Sequence, residues 1–235
     1  MSSIIDTAIQ CLRDESQALI DLIPTIGADF QHAVELILQC QGKVIVTGVG
    51  KSGHIGAKIA ATLSSTGTPS FFINPLDAFH GDLGVIGTED LVLAISNSGE
   101  TDELLRFFPY LLARQIPVIG MSGNEKSLLA QYSSVHLNIS VKKEACPMGL
   151  APTTSTTVTL ALGDALACAL IVARDFKASD FAQFHPGGAL GRRLLTCAKD
   201  VMHTDNLPTI APTTLMGEAL MHMTSGRLGL CVAID

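Results

Sequence analysis

Three short segments of this chain hold the residue types that can grip an anion. The first is Gly48-Val49-Gly50-Lys51-Ser52-Gly53, which follows a β-branched run and opens a helical pattern. It fits GxGxxG, the fingerprint of a dinucleotide-binding turn. The Rossmann reading also requires an acidic residue near the end of the second strand to hold a ribose. That place holds Asn74-Pro75, which disfavours a nicotinamide enzyme. A P-loop reading fails because position 45 is Ile, where GxxxxGK(S/T) needs its first glycine. What remains is a glycine-rich turn, with Gly50 and Ser52 as candidate contacts, whose backbone can approach an anion at a helix N-terminus. A plain tight turn accounts for the same residues.

The second segment, Ser96-Asn97-Ser98-Gly99-Glu100-Thr101, ends the strand-like run LVLAI. Its three hydroxyls, from Ser96, Ser98 and Thr101, lie where a helix begins. With the free amides of a first turn they make a neutral phosphate cradle. Ser98 can equally be an ordinary N-cap, and the two readings are compatible because capping uses one hydroxyl. The third is Thr153-Thr154-Ser155-Thr156-Thr157, which opens a long apolar helix. Ligands of open α/β sheets collect at the carboxyl ends of the strands. Three such segments converging there imply a small phosphorylated ligand held by amides and hydroxyls.

The ionisable candidates are Lys51, His80, Glu103, Glu144 and His185. His80 lies in His80-Gly81-Asp82-Leu83-Gly84, Glu144 just after the last strand, and His185 in the turn-rich His185-Pro186-Gly187-Gly188. Each has an ordinary reading as a solvated charge or a hydrogen-bonded ring. The neighbouring Lys142-Lys143 reads as a solvated face.

The elements that must position these residues are legible from periodicity. Helical spacing covers residues 6–23, is broken at Pro24, and resumes over 28–40. Short apolar runs at 43–47, 70–73, 91–95, 117–120 and 135–139 are near-continuous, as strands covered on both faces are. Helical stretches at 53–65, 100–114 and 127–132 separate them. Alternating strands and helices predict a parallel α/β sheet with right-handed crossovers. An apolar helix over 155–174 follows, buried in the domain or between subunits. From about residue 200 the texture changes to a short helix at 215–224 and a strand at 229–234, too little chain for an independent core.

Composition bounds the function. The chain has 235 residues and 24.7 kDa, with 47% hydrophobic and 16% charged residues, which excludes a disordered chain. Net charge −7 and pI about 5.4 argue against a nucleic-acid partner. Mean hydropathy is +0.39. The most apolar stretch, 165–173, is bounded by Asp164 and Arg174 and falls short of the roughly 20 apolar residues of a membrane span. No signal-peptide pattern opens the chain, so a cytoplasmic protein with no membrane partner is expected. The six cysteines are scattered without a CxxC pair and read as reduced thiols.

Longer strings carry a resemblance. GVGKSGHIGAKIAATLSSTGTPSFF, AFHGDLG, ISNSGETDEL, KEACPMGLAPTTSTTVTLALGDALA and FHPGGALGRRLL are similar to the sugar isomerase (SIS) domain, and within it to the D-arabinose 5-phosphate isomerases. The resemblance implies a three-layer αβα sandwich with a five-stranded parallel sheet behind N-terminal helices, over residues 1–199. Residues 200–235 resemble the opening of a truncated CBS module. The implied activity is interconversion of D-ribulose 5-phosphate and D-arabinose 5-phosphate through an enediol, feeding Kdo and lipopolysaccharide synthesis, with no cofactor. Lys51, Glu103, Glu144 and His185 match catalytic positions of the family. His80, Gly67 and Thr68 join Gly50, Ser52, Ser96, Ser98, Thr101 and Thr153 as substrate-site matches. Relatives often carry a zinc-associated histidine where this chain has Asn74, a poor zinc ligand, so no metal is expected.

Isomerisation of this kind needs a base facing a weak carbon acid and stabilisation of the enolate oxygen. The roles expected are Glu144 as base, with a pKa raised by a closed pocket, and His185 for ring opening or proton transfer between oxygens. Lys51 would stabilise negative charge, and Glu103 would orient hydroxyls or Lys51. The resemblance implies a site completed by neighbouring subunits, and the open side of the single sheet and the apolar helix fit that, so a homotetramer is expected. Two rivals stand: an isomerase for a heptose or hexulose phosphate, and a non-enzymatic phosphosugar-binding regulator. Only about forty residues precede the first strand, fewer than the DNA-binding module such regulators carry.

Overall fold

The computed structural model describes residues 3–186, 191, 193, 194, 196–205 and 207–235. It divides into two compact units, Met1–Phe184 and His185–Asp235. The expected boundary at residue 199 thus lies 15 residues beyond the observed division. Phe184 stacks on Phe176, with ring centroids 6.2 Å apart, which keeps the chain as far as residue 184 with the first unit.

The first unit opens with α1 (Ile4–Leu22) and α2 (Ala28–Gln39). Ser3 and Asp6 form a capping box on α1. Then β1 (Val44–Gly48), β2 (Ser70–Ile73), β3 (Leu91–Ile95), β4 (Val118–Ser122) and β5 (Val135–Asn138) form one parallel sheet in the order β2-β1-β3-β4-β5. Helices α3 (Gly50–Ser65), α4 (Pro75–Ala78), α5 (Asp102–Leu105), α6 (Phe108–Ala113) and α7 (Leu128–Tyr132) lie between strands, and α8 (Thr154–Ala173) and α9 (Ala178–Phe184) follow them.

The unbroken apolar runs are explained by two cores, one on each sheet face. Val44, Val46, Leu91, Leu93 and Ile95 pack with Ile59 and Leu63 of α3 and with Val158, Leu162, Leu166 and Leu170 of α8. The alternate residues Ile45, Val92 and Ala94 pack with Ala78, Leu104, Phe107, Phe108, Leu111 and Leu129 on the other side. That is the expected three-layer sandwich.

One helix was expected over 100–114, and two short ones form. Pro109 has no N–H, so the hydrogen bond it owes one turn back is missing and the chain restarts at Phe108 with Pro109 in its first turn. Among the described residues, α8 alone is long and apolar enough to cross a membrane. It serves instead as a core helix. Leu162 and Leu166 are buried, and Asp164 pairs with Lys58 of α3.

In the second unit, α10 (Ala198–Val201) and α11 (Met216–Gly226) accompany a two-stranded parallel pair, β6 (Thr209–Ile210) and β7 (Val232–Ala233). The strand expected over 229–234 shortens to those two residues.

Candidate functional site

The strand order places β1 beside β3 while β2 lies on the other side of β1. The crevice at their carboxyl ends is therefore the switch point where open α/β sheets bind ligands. Both carboxyl ends lead into segments singled out by sequence.

After Gly48, helix α3 begins at Gly50, three residues earlier than periodicity predicts. Gly50 has φ +60°, a left-handed conformation that favours glycine. A Cβ on Gly53 would lie 2.6 Å from the Gly48 carbonyl oxygen, so the helix start can press against the strand end only with glycine there. The consequence is that Lys51 and Ser52 occupy the first turn, where backbone N–H groups have no partner within the helix.

After Ile95, Ser96 is 3% exposed and organises its loop. Its Oγ accepts from Gly99 N at 3.0 Å and lies 2.8 Å from Thr101 Oγ1. Ser98 Oγ accepts from Glu100 N at 3.2 Å. Thr101 occupies the N-cap of α5 without capping it through its side chain. Glu100 turns away and accepts from Leu128 N at 2.9 Å, at the start of α7.

The third segment opens α8. Glu144 Oε2 accepts from Thr153 N at 2.8 Å, Thr153 Oγ1 at 3.1 Å and Ser155 N at 3.2 Å. Burial pushes the Glu144 pKa up, but the hydrogen bonds from Ser155 and Thr153 outweigh it and hold the carboxyl below its ordinary value of 4.5. The expected upward shift is corrected: a helix N-terminus favours the anion more than partial burial disfavours it.

Together these segments enclose a cleft of about 320 Å³. Lys51, Ser52, Ser98 and Thr101 line it as expected, joined by Asn97, Pro152, Ser155, Thr156 and Thr159, with Val49 and Ile55 as its apolar wall. Among these lining residues Lys51 alone is charged. The first turns of α3 and α8, helices of 16 and 20 residues, both contribute. Their aligned peptide dipoles place partial positive charge around the cleft without a basic patch.

Sequence reasoning assigned only Thr153 from the third segment. The structure engages Thr153 with Glu144 and gives the lining to Ser155, Thr156 and Thr159. The signal was present, since these positions recur at i, i+1 and i+4 on one helix face.

Other candidates lie apart. Gly67 and Thr68 precede β2 at the amino edge of the sheet. There Arg174 donates to the Gly67 carbonyl at 3.4 Å and to Thr68 Oγ1, and Phe176 would meet a Gly67 Cβ at 2.7 Å. These two residues join the far end of α8, about 30 Å of helix from the cleft, and are not among its lining residues. Exposed His80 lies in a turn closed by its N–H to Asp77 O at 2.9 Å, and Glu103 is half-buried in the first turn of α5. Gly50 and Ser96 are not among the lining residues: Gly50 is exposed where α3 begins, and Ser96 is buried in the loop after β3. His185 is half-buried within the second unit. Gly187 and Gly188, in the same motif, lie outside the described residues. Asn74 Oδ1 accepts from Leu76 N at 3.0 Å and so caps α4. Among the described residues, no group of three or more His, Cys, Asp or Glu could hold a metal ion. Lys142 and Lys143 are 84% and 63% exposed, as a solvated face requires, and each also forms an ion pair with α1, to Asp21 and Asp14 respectively, at 2.7 Å.

The chain is similar to several known proteins. Arabinose 5-phosphate isomerase KdsD of Yersinia pestis is 53% identical over 227 residues, which is 96% of this chain and 69% of that protein. The protein of the same name from Pseudomonas aeruginosa is 54% identical over 222 residues, 94% of this chain and 68% of its own length. The solved structure of E. coli CFT073 c3406 in complex with arabinose 5-phosphate matches with a TM-score of 0.76 at 41% identity, covering 79% of this chain and 100% of that one. The family model for the SIS domain matches residues 37–169, the span from α2 through the sheet and cleft into α8. The chain belongs to the SIS domain family.

Proposed function

We propose that this chain is an aldose–ketose isomerase that interconverts D-ribulose 5-phosphate and D-arabinose 5-phosphate, the reaction named for its KdsD relatives. The observation that carries the reading is the cleft itself: two long helix N-termini and a ring of hydroxyls meet at the switch point, with an ionised carboxylate bonded to the residues at its rim. A monoester dianion fits such a neutral cradle.

The chemistry follows from the groups present. Glu144 is ionised at neutral pH and can take the proton from the carbon next to the carbonyl. A positioned base contributes typically ~10²–10⁴-fold. Its lowered pKa makes it a weaker base, so stabilisation of the enediolate oxygen carries more of the barrier. Lys51 at the α3 N-terminus supplies that charge, to the oxygen or to the phosphate. Glu103, in the first turn of α5, keeps its expected role of orienting hydroxyls or Lys51; His185 matches a catalytic position of the family and belongs to the second unit.

The finer proposals are a homotetramer, a cytoplasmic location, and a CBS-like opening in residues 200–235. Exposed Ile5, Ile9 and Leu12 on α1 favour burial between subunits. No disulfide joins any of the six cysteines, all of which are among the described residues, and this suits a reducing compartment.

The test is to incubate the protein with D-ribulose 5-phosphate and identify the sugars formed by NMR, with Ser98→Ala and Thr156→Val compared for KM. Arabinose 5-phosphate should appear, and both variants should raise KM more than they lower kcat. Turnover of a heptose or hexulose phosphate alone, or binding without turnover, would overturn the assignment.

A further inference from the structure

Glu144 lies in the stretch between β5 and α8, which forms no regular element. Its carboxylate is useful only while that stretch is held at a fixed height over α8. Two consecutive lysines just before it are tied to α1: Lys143 Nζ lies 2.7 Å from Asp14 and Lys142 Nζ 2.7 Å from Asp21. We propose that Asp14 and Asp21 are positioning residues for the isomerisation, holding through Lys143 and Lys142 the loop that carries Glu144. The inference rests on the reading of Glu144 as the base.

The arrangement is built twice to one pattern. Gln10 Nε2 donates to Asp14 at 2.8 Å, and Gln17 Nε2 donates to Asp21 at 2.9 Å. The two Gln–Asp pairs stand seven residues apart, two helical turns on one face. Each carboxylate is thus pre-oriented along the helix before it meets its lysine. The α1 helix is itself fixed to the frame of the site, because Ala18, Leu19 and Leu22 pack on the core that contains Leu162 and Leu166 of α8. Helix α8 carries both Thr154, which accepts from Ala145 N at 2.9 Å, and Ser155, which donates to Glu144. The loop is therefore gripped on one side by α1 and on the other by α8. Lys143 is 63% and Lys142 84% exposed, so both pairs lie where salt reaches them.

The experiment compares kcat and KM for Asp14→Asn/Asp21→Asn, Lys142→Gln/Lys143→Gln and the charge-swapped Asp14→Lys/Lys143→Asp, with Glu144→Gln run in parallel. Circular dichroism confirms that each is folded at the assay temperature. The Asn pair and the Gln pair should each lower kcat about three- to tenfold, the scale of two exposed surface pairs, with KM within about twofold. The charge swap should recover kcat, and added NaCl should lower kcat of the wild type but not of the Asn pair. Wild-type kcat in both neutralised pairs, with Glu144→Gln inactive, would overturn the positioning role and leave the base intact. Full activity of Glu144→Gln would instead remove the base assignment, and this inference with it.

Discussion

Replacing Glu144 by Gln separates two jobs that this side chain holds at once. As a cap it accepts three hydrogen bonds on one oxygen, from Thr153 N, Thr153 Oγ1 and Ser155 N, at 2.8 to 3.2 Å. The amide is nearly isosteric and keeps an acceptor there, so what is lost is the charge. Neutralising an anion at a helix N-terminus costs about 0.3–1 kcal/mol. Hydrogen bonds to a charged acceptor exceed neutral ones by about 1 kcal/mol. The total is ~1–2 kcal/mol, which lowers Tm by roughly 2–8 °C for a domain of this size. As a base, the same residue contributes ~10²–10⁴-fold in rate, or about 3–5 kcal/mol of barrier. The variant therefore stays folded at 25 °C while its chemistry stops. The assay is deuterium incorporation from heavy water into the carbon-bound position of the sugar phosphate, followed by NMR, beside a thermal melt. Exchange at the wild-type rate would refute the base assignment. A Tm unchanged within a degree would refute the capping account.

Three further outcomes are expected. Gly163→Ala should destabilise the protein by about 1–2 kcal/mol in urea melts, because its Cβ would lie 2.5 Å from Ile59 Cδ1 and Cγ1 where α3 crosses α8, and overpacking outweighs the helix propensity gained. Burial pushes the His136 pKa below its ordinary 6.5, with Nε2 2.8 Å from Ser122 Oγ, so the folded state binds fewer protons than the unfolded chain just below that value. Stability should then fall as pH drops below about 6.5, and His136→Gln should flatten the difference between urea melts at pH 5.5 and 7.5; an equal slope in the variant sinks the account. Cys146 should alkylate before Cys40 in timed iodoacetamide labelling read by mass spectrometry. Backbone N–H groups of Ala151, Leu150 and Met148 lower the Cys146 pKa, whereas burial raises that of Cys40, so equal rates would contradict both.

Periodicity and residue type were enough for the parallel sheet, because runs such as Leu91–Ile95 have no polar side to show solvent and must be covered twice. They also singled out Lys51, Ser52, Ser98 and Thr101, four residues that line one cleft. What local sequence could not carry was the choice among neighbouring hydroxyls. Thr153 and Ser155 are two residues apart and both donate to Glu144, but only the docking of α8 against α3 decides that Ser155 also lines the cleft while Thr153 does not. The sign of the Glu144 pKa shift is likewise tertiary: it depends on a carboxylate being brought back over amides nine and eleven residues later in the chain, where their donation exceeds the cost of burial. The ion pairs of Lys142 and Lys143 are tertiary for the same reason, since the acids that pair with them lie more than a hundred residues away on α1. Residue types thus determined what chemistry was available, and long-range packing determined which atoms hold it in place.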